Sequence, residues 1–452
     1  MIRKDKIIVI GGNAAGPAAA AKAKRVNPDA DILLFEAGEF ISTGTCELPY
    51  LLSGEIKDYE DIIFFNPDSF WEKKGVKVFI NHFVEDINTR DKTINVQDLK
   101  TGKFNNFSYD KLILTAGSTA KKHIQVRNAV NSLCLKNISD ALKIREYLNS
   151  GTVKNISIIG SGFIGLEAVE VLSKAGYNIS LIEKSLSPFP AAEPEIRTLI
   201  KELLVKNNIN FYPDAELIPR MNGSNITALN INGRFTDTDL VINSLGITPN
   251  VYLAVKSKLK LGTSGAVKVD TKLRTSDFNI YAAGDIAEIT DFVTGKPAWL
   301  PFASYAYENG HIAGENAAGG NASSLPVVRN VALRIFNKFY VSVGLTSFEA
   351  EKEKFLINTV TDIQPGFASV MPGSGLVFGK VVFEKNSGRL LGASFFGGRE
   401  VEGFGNVISA LIKLKQPAVI ISELNYNYTP PLSPMKNLLS SLGNKIVHIK
   451  KY

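Results

Sequence analysis

Sulfur is scarce in this chain: of 452 residues, only Cys46 and Cys134 are cysteines. A disulfide-stapled framework is therefore excluded, and no sequence spacing suggests a metal site, so the expectation is no metal and a reducing compartment. Long apolar runs are also missing. None reaches the ~20 residues of a membrane-spanning helix. The run from Ile7 to Gly12 is too short for a signal peptide and lacks a cleavage site. These absences point to a soluble, cytoplasmic protein with no membrane partner. The net charge is +7, from 51 basic and 44 acidic residues, yet there is no dense Lys/Arg tract and no interleaving of aromatic and basic residues. Nucleic acid is therefore not an expected partner. Low-complexity segments are absent too. With 45% hydrophobic residues the chain can build sizeable cores, and its length argues for two or three domains.

What is present is a repeated unit. Lys6 to Ile10 is an apolar, β-branched run, followed by Gly11-Gly12-Asn13-Ala14-Ala15-Gly16, an Ala-rich helical stretch from Pro17 to Val26, and a strand from Asp31 to Phe35 closed by Glu36. The order strand, Gly-rich turn, helix, strand, acid is a dinucleotide-binding fingerprint. Glycine permits the tight turn and the close approach of backbone to pyrophosphate, and the helix N-terminus holds the phosphates. Gly11, Gly12 and Gly16 form this turn, Asn13 stands at the middle glycine position, and Glu36 is the ribose acceptor. The unit recurs with a strand from Ile156 to Ile159, the complete turn Gly160-Ser161-Gly162-Phe163-Ile164-Gly165, a helix from Leu166 to Ala175, and a strand from Ile179 to Ile182 ending in Glu183. A carboxylate at that place bonds the ribose 2′-hydroxyl and repels a 2′-phosphate, which favours NADH; Lys184 beside it keeps NADPH as an alternative. After Pro326 the pattern changes to strand-like runs (Tyr340 to Gly344, Leu376 to Glu384, Leu390 to Phe396), a hairpin turn at Asn386-Ser387-Gly388, and a helix of about 15 residues from Val401. This is a third, α+β unit.

Several short segments carry a resemblance. Thr275 to Asp285, read as a strand running into Ala-Ala-Gly-Asp, resembles the second FAD motif of two-dinucleotide flavoproteins. It implies FAD contacts at Gly284 and Asp285. Thr115-Ala116-Gly117 and Leu245-Gly246 resemble the crossover motifs between FAD and NAD domains, adding Thr115, Gly117 and Gly246 to the cofactor residues. Glu167, at the start of the second helix, corresponds to an acid near the nicotinamide in related flavoproteins. Cys46 lies in Ser42-Thr43-Gly44-Thr45-Cys46-Glu47-Leu48-Pro49-Tyr50, after the first fingerprint, and has no second cysteine nearby. Taken together, the chain resembles the single-cysteine branch of the pyridine nucleotide–disulfide oxidoreductases over essentially its whole length.

The resemblance implies an α/β fold with two Rossmann-like dinucleotide-binding domains and a C-terminal α+β dimerisation domain. The FAD domain is expected at 1–118 and 246–325, the NAD(P)H domain at 119–245, and the dimerisation domain at 326–452. Within the branch, the oxidases and peroxidases carry a histidine in the first turn, where this chain has Ala14. The disulfide and persulfide reductases carry Gly-Leu-Pro-Tyr after the cysteine, where this chain has Glu47-Leu48-Pro49-Tyr50. Both comparisons favour reduction of coenzyme A disulfide, a persulfide or a polysulfide, with Cys46 as the catalytic sulfur and a small thiol or disulfide as substrate. An NADH oxidase or peroxidase using a Cys46 sulfenic acid, and a non-catalytic redox sensor, are the alternatives.

The coenzyme A disulfide reductase pattern places substrate contacts at Ala18, Lys22, Arg25, Ser42, Thr45, Lys74 and Lys436. It also places Tyr428, of Tyr428-Thr429-Pro430-Pro431, near the sulfur of the other chain of a homodimer. Two departures stand out. Glu47 replaces a glycine beside the sulfur, and a carboxylate there raises a thiol pKa. Val370-Met371-Pro372-Gly373 lacks the tyrosine of the family's Tyr-Tyr-Pro-Gly segment.

Overall fold

The computed structural model describes residues 4–450. β-Branched, apolar stretches form its central strands, buried on both faces as a parallel sheet demands. The first sheet has five parallel strands in the order Ile280–Ala282, Lys111–Leu114, Lys6–Ile10, Asp31–Phe35, Lys77–Phe79. The second repeats the arrangement: Asn210–Tyr212, Asn178–Ile182, Asn155–Ile159, Leu240–Asn243, Ser132–Cys134. In each, the strand that opens the fingerprint sits at the centre, so the Gly-rich turn emerges at the carboxyl end of the sheet where the strand order reverses. The two-stranded ribbon Ser118–Ala120 with Ile247–Pro249 carries the chain between the sheets. Gly117 and Gly246 flank it, both at positive φ.

The third sheet is antiparallel, in the order Asn330–Ile335, Lys338–Gly344, Leu390–Gly397, Leu376–Glu384, Ile357–Pro365. Helices Val401–Lys413 and Leu438–Lys450 pack on it. The α/β class with two Rossmann-like sheets and a C-terminal α+β unit therefore holds. No described helix is long and apolar enough to cross a membrane.

Three local expectations need correction. The first helix starts at Ala15 rather than Pro17, because proline in the first helical turn gives up an N–H that has no partner there anyway. The second starts at Phe163 rather than Leu166. The Thr275–Asp285 segment is strand only over Ile280–Ala282. Before it, Thr275 and Asp277 close a turn on their own side chains, with the Asp277 amide donating to Thr275 Oγ1 at 3.1 Å.

The Ala-rich first helix packs against a helix the sequence pattern did not announce, Ala303–Ala317. Gly310 and Gly314 face Ala15 and Ala19 so closely that an added Cβ would collide with their carbonyl oxygens. This pair covers one face of the first sheet.

Candidate active site

The first fingerprint turn is built around Gly11. Its φ is +106°, and a Cβ there would run into the Thr115 carbonyl. Thr115 closes the turn by donating from Oγ1 to Ile10 O at 2.8 Å and to Gly11 O at 3.0 Å. The Glu36 carboxylate accepts the Gly12 amide at 2.6 Å and the Gly38 amide at 2.7 Å. Gly284 sits against Ala15, at the first turn of the helix. Asp285, next to it, accepts from Ser118 Oγ at 2.7 Å and lies 3.6 Å from Lys136 Nζ. A Gly-rich turn, an open helix N-terminus, Glu36 and Asp285 thus converge on one end of the first sheet, and these residues fit FAD.

Asn13 does work that the fingerprint alone does not disclose. Its Oδ1 accepts the amides of Ala14 and of Thr43, each at 3.0 Å. The Ser42 amide donates to Gly12 O at 2.8 Å, with Ser42 itself at φ +52°. These bonds fasten the Cys46 segment to the nucleotide turn. Cys46 lies in the short 3₁₀ turn Thr45–Glu47, which runs into the helix Leu48–Ser53. Leu48, Pro49, Leu51 and Leu52 are buried and anchor that helix, while Cys46 is exposed in the isolated chain. The surrounding protein nonetheless takes part of the sulfur's hydration. Desolvation pushes its thiol above the ordinary value, and Glu47, Glu167 and Asp285 add to the rise; Lys136 opposes it. Lys136 was not singled out by any sequence motif. It arrives from the far end of the second sheet, after strand Ser132–Cys134.

Glu167 follows the second Gly-rich turn. Burial, then the neighbouring Glu170, push its carboxyl up to about 7, with Arg334 opposing. Arg334 also pairs with Glu55 at 2.6 Å and sits over the Tyr50 ring at 4.6 Å, tying the Cys46 helix to the third sheet.

The second turn repeats the first. Gly160 has φ +102°, and a Cβ would strike the Ser244 carbonyl. Gly165, near the start of the following helix, lies against the Gly160 carbonyl, and Gly162 is the N-cap. The Glu183 carboxylate accepts from Ser161 and Ser185, and Lys184 beside it is exposed. These residues fit a second dinucleotide.

The residues predicted to meet the substrate divide into two groups. Ser42 and Thr45 share the Cys46 segment. Ala18, Lys22 and Arg25 lie on the first helix: Ala18 is buried, Lys22 is paired with Glu315 at 2.8 Å, and Arg25 is exposed. Lys24 on the same helix packs at Gly75, next to Lys74, whose ammonium stands 5.4 Å from the Phe65 ring centre. Tyr428 and Lys436 belong instead to the segment before helix Leu438–Lys450, where both are exposed. That segment bonds to the loop carrying Met371, with the Ala368 amide donating to Pro430 O at 3.0 Å.

Two parallel sheets with paired nucleotide turns and one accessible thiol at the first define a two-nucleotide redox protein. The sequence pattern of the pyridine nucleotide-disulphide oxidoreductases matches residues 5–310, and the chain belongs to that family. It is an FAD-dependent NAD(P)H oxidoreductase. A coenzyme A disulfide reductase from Staphylococcus aureus is 28% identical over 97% of this chain and 99% of its own. An NADH oxidase from Methanocaldococcus jannaschii is 28% identical over 96% and 97% respectively. The solved structure of a NAD-dependent persulfide reductase from A. fulgidus superposes with a TM-score of 0.94 at 30% identity, covering 99% of this chain and 83% of that one.

Proposed function

We propose that this protein reduces the S–S bond of coenzyme A disulfide, or of a persulfide or polysulfide, at the expense of NAD(P)H, with Cys46 as its one working sulfur. The observation that carries this reading is the single accessible cysteine on a segment fastened by Gly12 and Asn13 to the FAD-type turn. The similarity to a coenzyme A disulfide reductase and a persulfide reductase supports it. When bound, FAD takes the electron pair of NAD(P)H and delivers it to the disulfide that Cys46 forms. Glu36 and Glu183 hold the two riboses in this scheme, and the two Gly-rich turns and helix N-termini hold the pyrophosphates. The Cys46 thiolate attacks one sulfur of the substrate, forming a mixed disulfide or persulfide and releasing the other sulfur as a thiolate. Lys136 stabilises the anionic sulfur, against the carboxylates around it. Lys22, Arg25, Lys74 and Lys436 serve the phosphates of coenzyme A.

By the same reading the chain works as a cytoplasmic homodimer. Tyr428 of the partner subunit then lies near Cys46. The exposure of Val370, Leu432 and Met435 around the Tyr428 segment fits a surface that a second copy covers.

Replacement of Cys46 by serine tests the scheme. NADH is expected to reduce the flavin of Cys46→Ser at close to the normal rate. Turnover with coenzyme A disulfide and with persulfide should fall on the order of 10³-fold or more. Full disulfide turnover by the serine variant would overturn it. The M. jannaschii relative favours a second reading, reduction of oxygen through a Cys46 sulfenic acid. Ala14 in the first turn speaks against it, and NADH-dependent oxygen consumption that outpaces every sulfur substrate would establish it.

A further inference from the structure

The two nucleotide turns hold their acids differently. Glu36 receives one amide on each carboxylate oxygen, Gly12 on Oε2 at 2.6 Å and Gly38 on Oε1 at 2.7 Å. Glu183 receives the matching amides, Ser161 on Oε2 at 2.9 Å and Ser185 on Oε1 at 3.0 Å. It also receives a third donor that the first turn lacks, the Ser161 hydroxyl, 2.7 Å from Oε2. Glycine occupies the equivalent position in the first turn, so the serine side chain is not needed to build the turn.

The hydroxyl is itself held. Ser161 is fully buried, and its Oγ accepts the Phe189 amide at 3.0 Å. With that amide on the oxygen, the hydroxyl hydrogen is left for Glu183. Phe189 is fully buried at φ +51°, a conformation that costs a non-glycine residue energy and persists only where packing imposes it. The packing is visible: its ring meets those of Phe163 and Tyr340 edge-on, with centroids 5.0 and 4.9 Å away. The third sheet, through Tyr340, thus helps fix the donor that faces the acid of the second.

Two donors from Ser161 hold Oε2 of Glu183, the Ser185 amide holds Oε1, and the Ser185 hydroxyl bonds the carboxylate as well. A carboxylate clamped in this way cannot rotate aside when a 2′-phosphate approaches. Burial alone would lift its pKa, yet the bonds from Ser161 and Ser185 hold it below the ordinary value, so it stays charged.

We propose that Ser161 is a specificity-determining positioning residue: its hydroxyl locks the Glu183 carboxylate and thereby sets the preference for NAD(H) over NADP(H). This rests on the reading of the second turn as the nicotinamide nucleotide site. The general role of an acid at the strand end is common to such sites; the hydroxyl clamp is what distinguishes this chain's second turn from its first.

The test is equilibrium binding of NAD⁺ and NADP⁺ to the oxidised, FAD-loaded protein by calorimetry, which needs no turnover. Ser161→Ala should weaken NAD⁺ about two- to ten-fold, because the freed carboxylate must be ordered again when the ribose binds. NADP⁺ should bind as before or more tightly, so the ratio of the two affinities narrows. In a Glu183→Gln background, Ser161→Ala should leave the ratio unchanged, because the clamp has no charge left to hold. Ser161→Cys keeps the side chain's bulk but donates weakly, and should narrow the ratio as well, which guards against misfolding of the alanine variant. Equal weakening of both nucleotides would mean that Ser161 only supports the turn, and would overturn the proposal. So would an unchanged ratio in Ser161→Ala and Ser161→Cys. If the normal protein bound neither nucleotide, the nucleotide assignment of the second turn would fall, and the proposal with it.

Discussion

Glu167 shows how far a residue's chemistry can depart from its place in a motif. In the sequence it is an acid at the start of a helix, where the dipole favours a charge. In the fold, burial and Glu170 lift its carboxyl to about 7 from an ordinary 4.5. A group whose folded value is raised contributes its stability fully below the unfolded value and loses it as pH rises through the folded one. Glu167→Gln should therefore be as stable as the normal protein near pH 4. At pH 8 it should be more stable by roughly 3 kcal/mol, the scale of a rise from 4.5 to about 7. Urea unfolding at both pH values measures this, and a variant with no gain at pH 8 would refute the raised value. Cys46 is legible in the sequence because its neighbours along the chain carry the signal. Lys136 is not, since only the parallel pairing of Ser132–Cys134 with Leu240–Asn243 brings it to the sulfur side. Asn13 left a trace, as the one non-glycine at the middle position of the first turn, but its grip on Thr43 is a tertiary contact. Glu47 was legible as a departure, and its effect on the thiol has the sign that a nearby carboxylate imposes.

Among the elements, the central strands and fingerprint helices were readable because apolar period and glycine punctuation agree there. The helix Ala303–Ala317 was not. Its Gly310 and Gly314 weaken its intrinsic helix signal, and its polar residues blur the apolar stripe. The glycines are explained by the partner helix, one turn apart on the face that meets Ala15 and Ala19. Two effects compete in Gly314→Ala. Helix propensity gains about 1 kcal/mol. A methyl driven into the Ala19 carbonyl costs about 1–3 kcal/mol, and more where the backbone cannot yield. Here the opposing atom is main chain inside a packed helix pair, so the steric cost should win. Lower thermal stability and faster loss of FAD are expected, because Ala19 stands one turn from the helix end that carries the nucleotide turn. A rise in melting temperature would mean that the helices can part without harm.

For the whole molecule, the question is what joins the second sheet to the third. The change of pattern after Pro326 announces a separate α+β unit, but nothing in the sequence announces the contacts that lock it. Two buried acids make them. Glu170 accepts the Phe336 amide at 2.6 Å and lies 3.4 Å from Arg334. Glu193, almost fully buried, accepts the Ser347 amide and hydroxyl, both at 2.6 Å, and pairs with Lys380 at 3.0 Å. Each partner is more than 150 residues distant in sequence from its acid, which hides such pairs from any local pattern. Lys380 is itself buried and has Glu195 as a second acid at 3.0 Å. Removing one member of a buried pair leaves the other without compensation, at about 3–5 kcal/mol. Glu193→Ala should approach the lower end of that range, because it strands the Ser347 amide and leaves Lys380 with only the more exposed Glu195. Glu193→Gln keeps an acceptor for Ser347 and loses only the charge, so it should cost less. Guanidinium unfolding followed by circular dichroism separates the cases. A loss under about 1 kcal/mol in Glu193→Ala, typical of an exposed pair, would show that apolar packing such as Phe189 on Tyr340 joins the units without help from the acid. A larger loss would make the same interface that presents Phe189 to Ser161 depend on a buried charge.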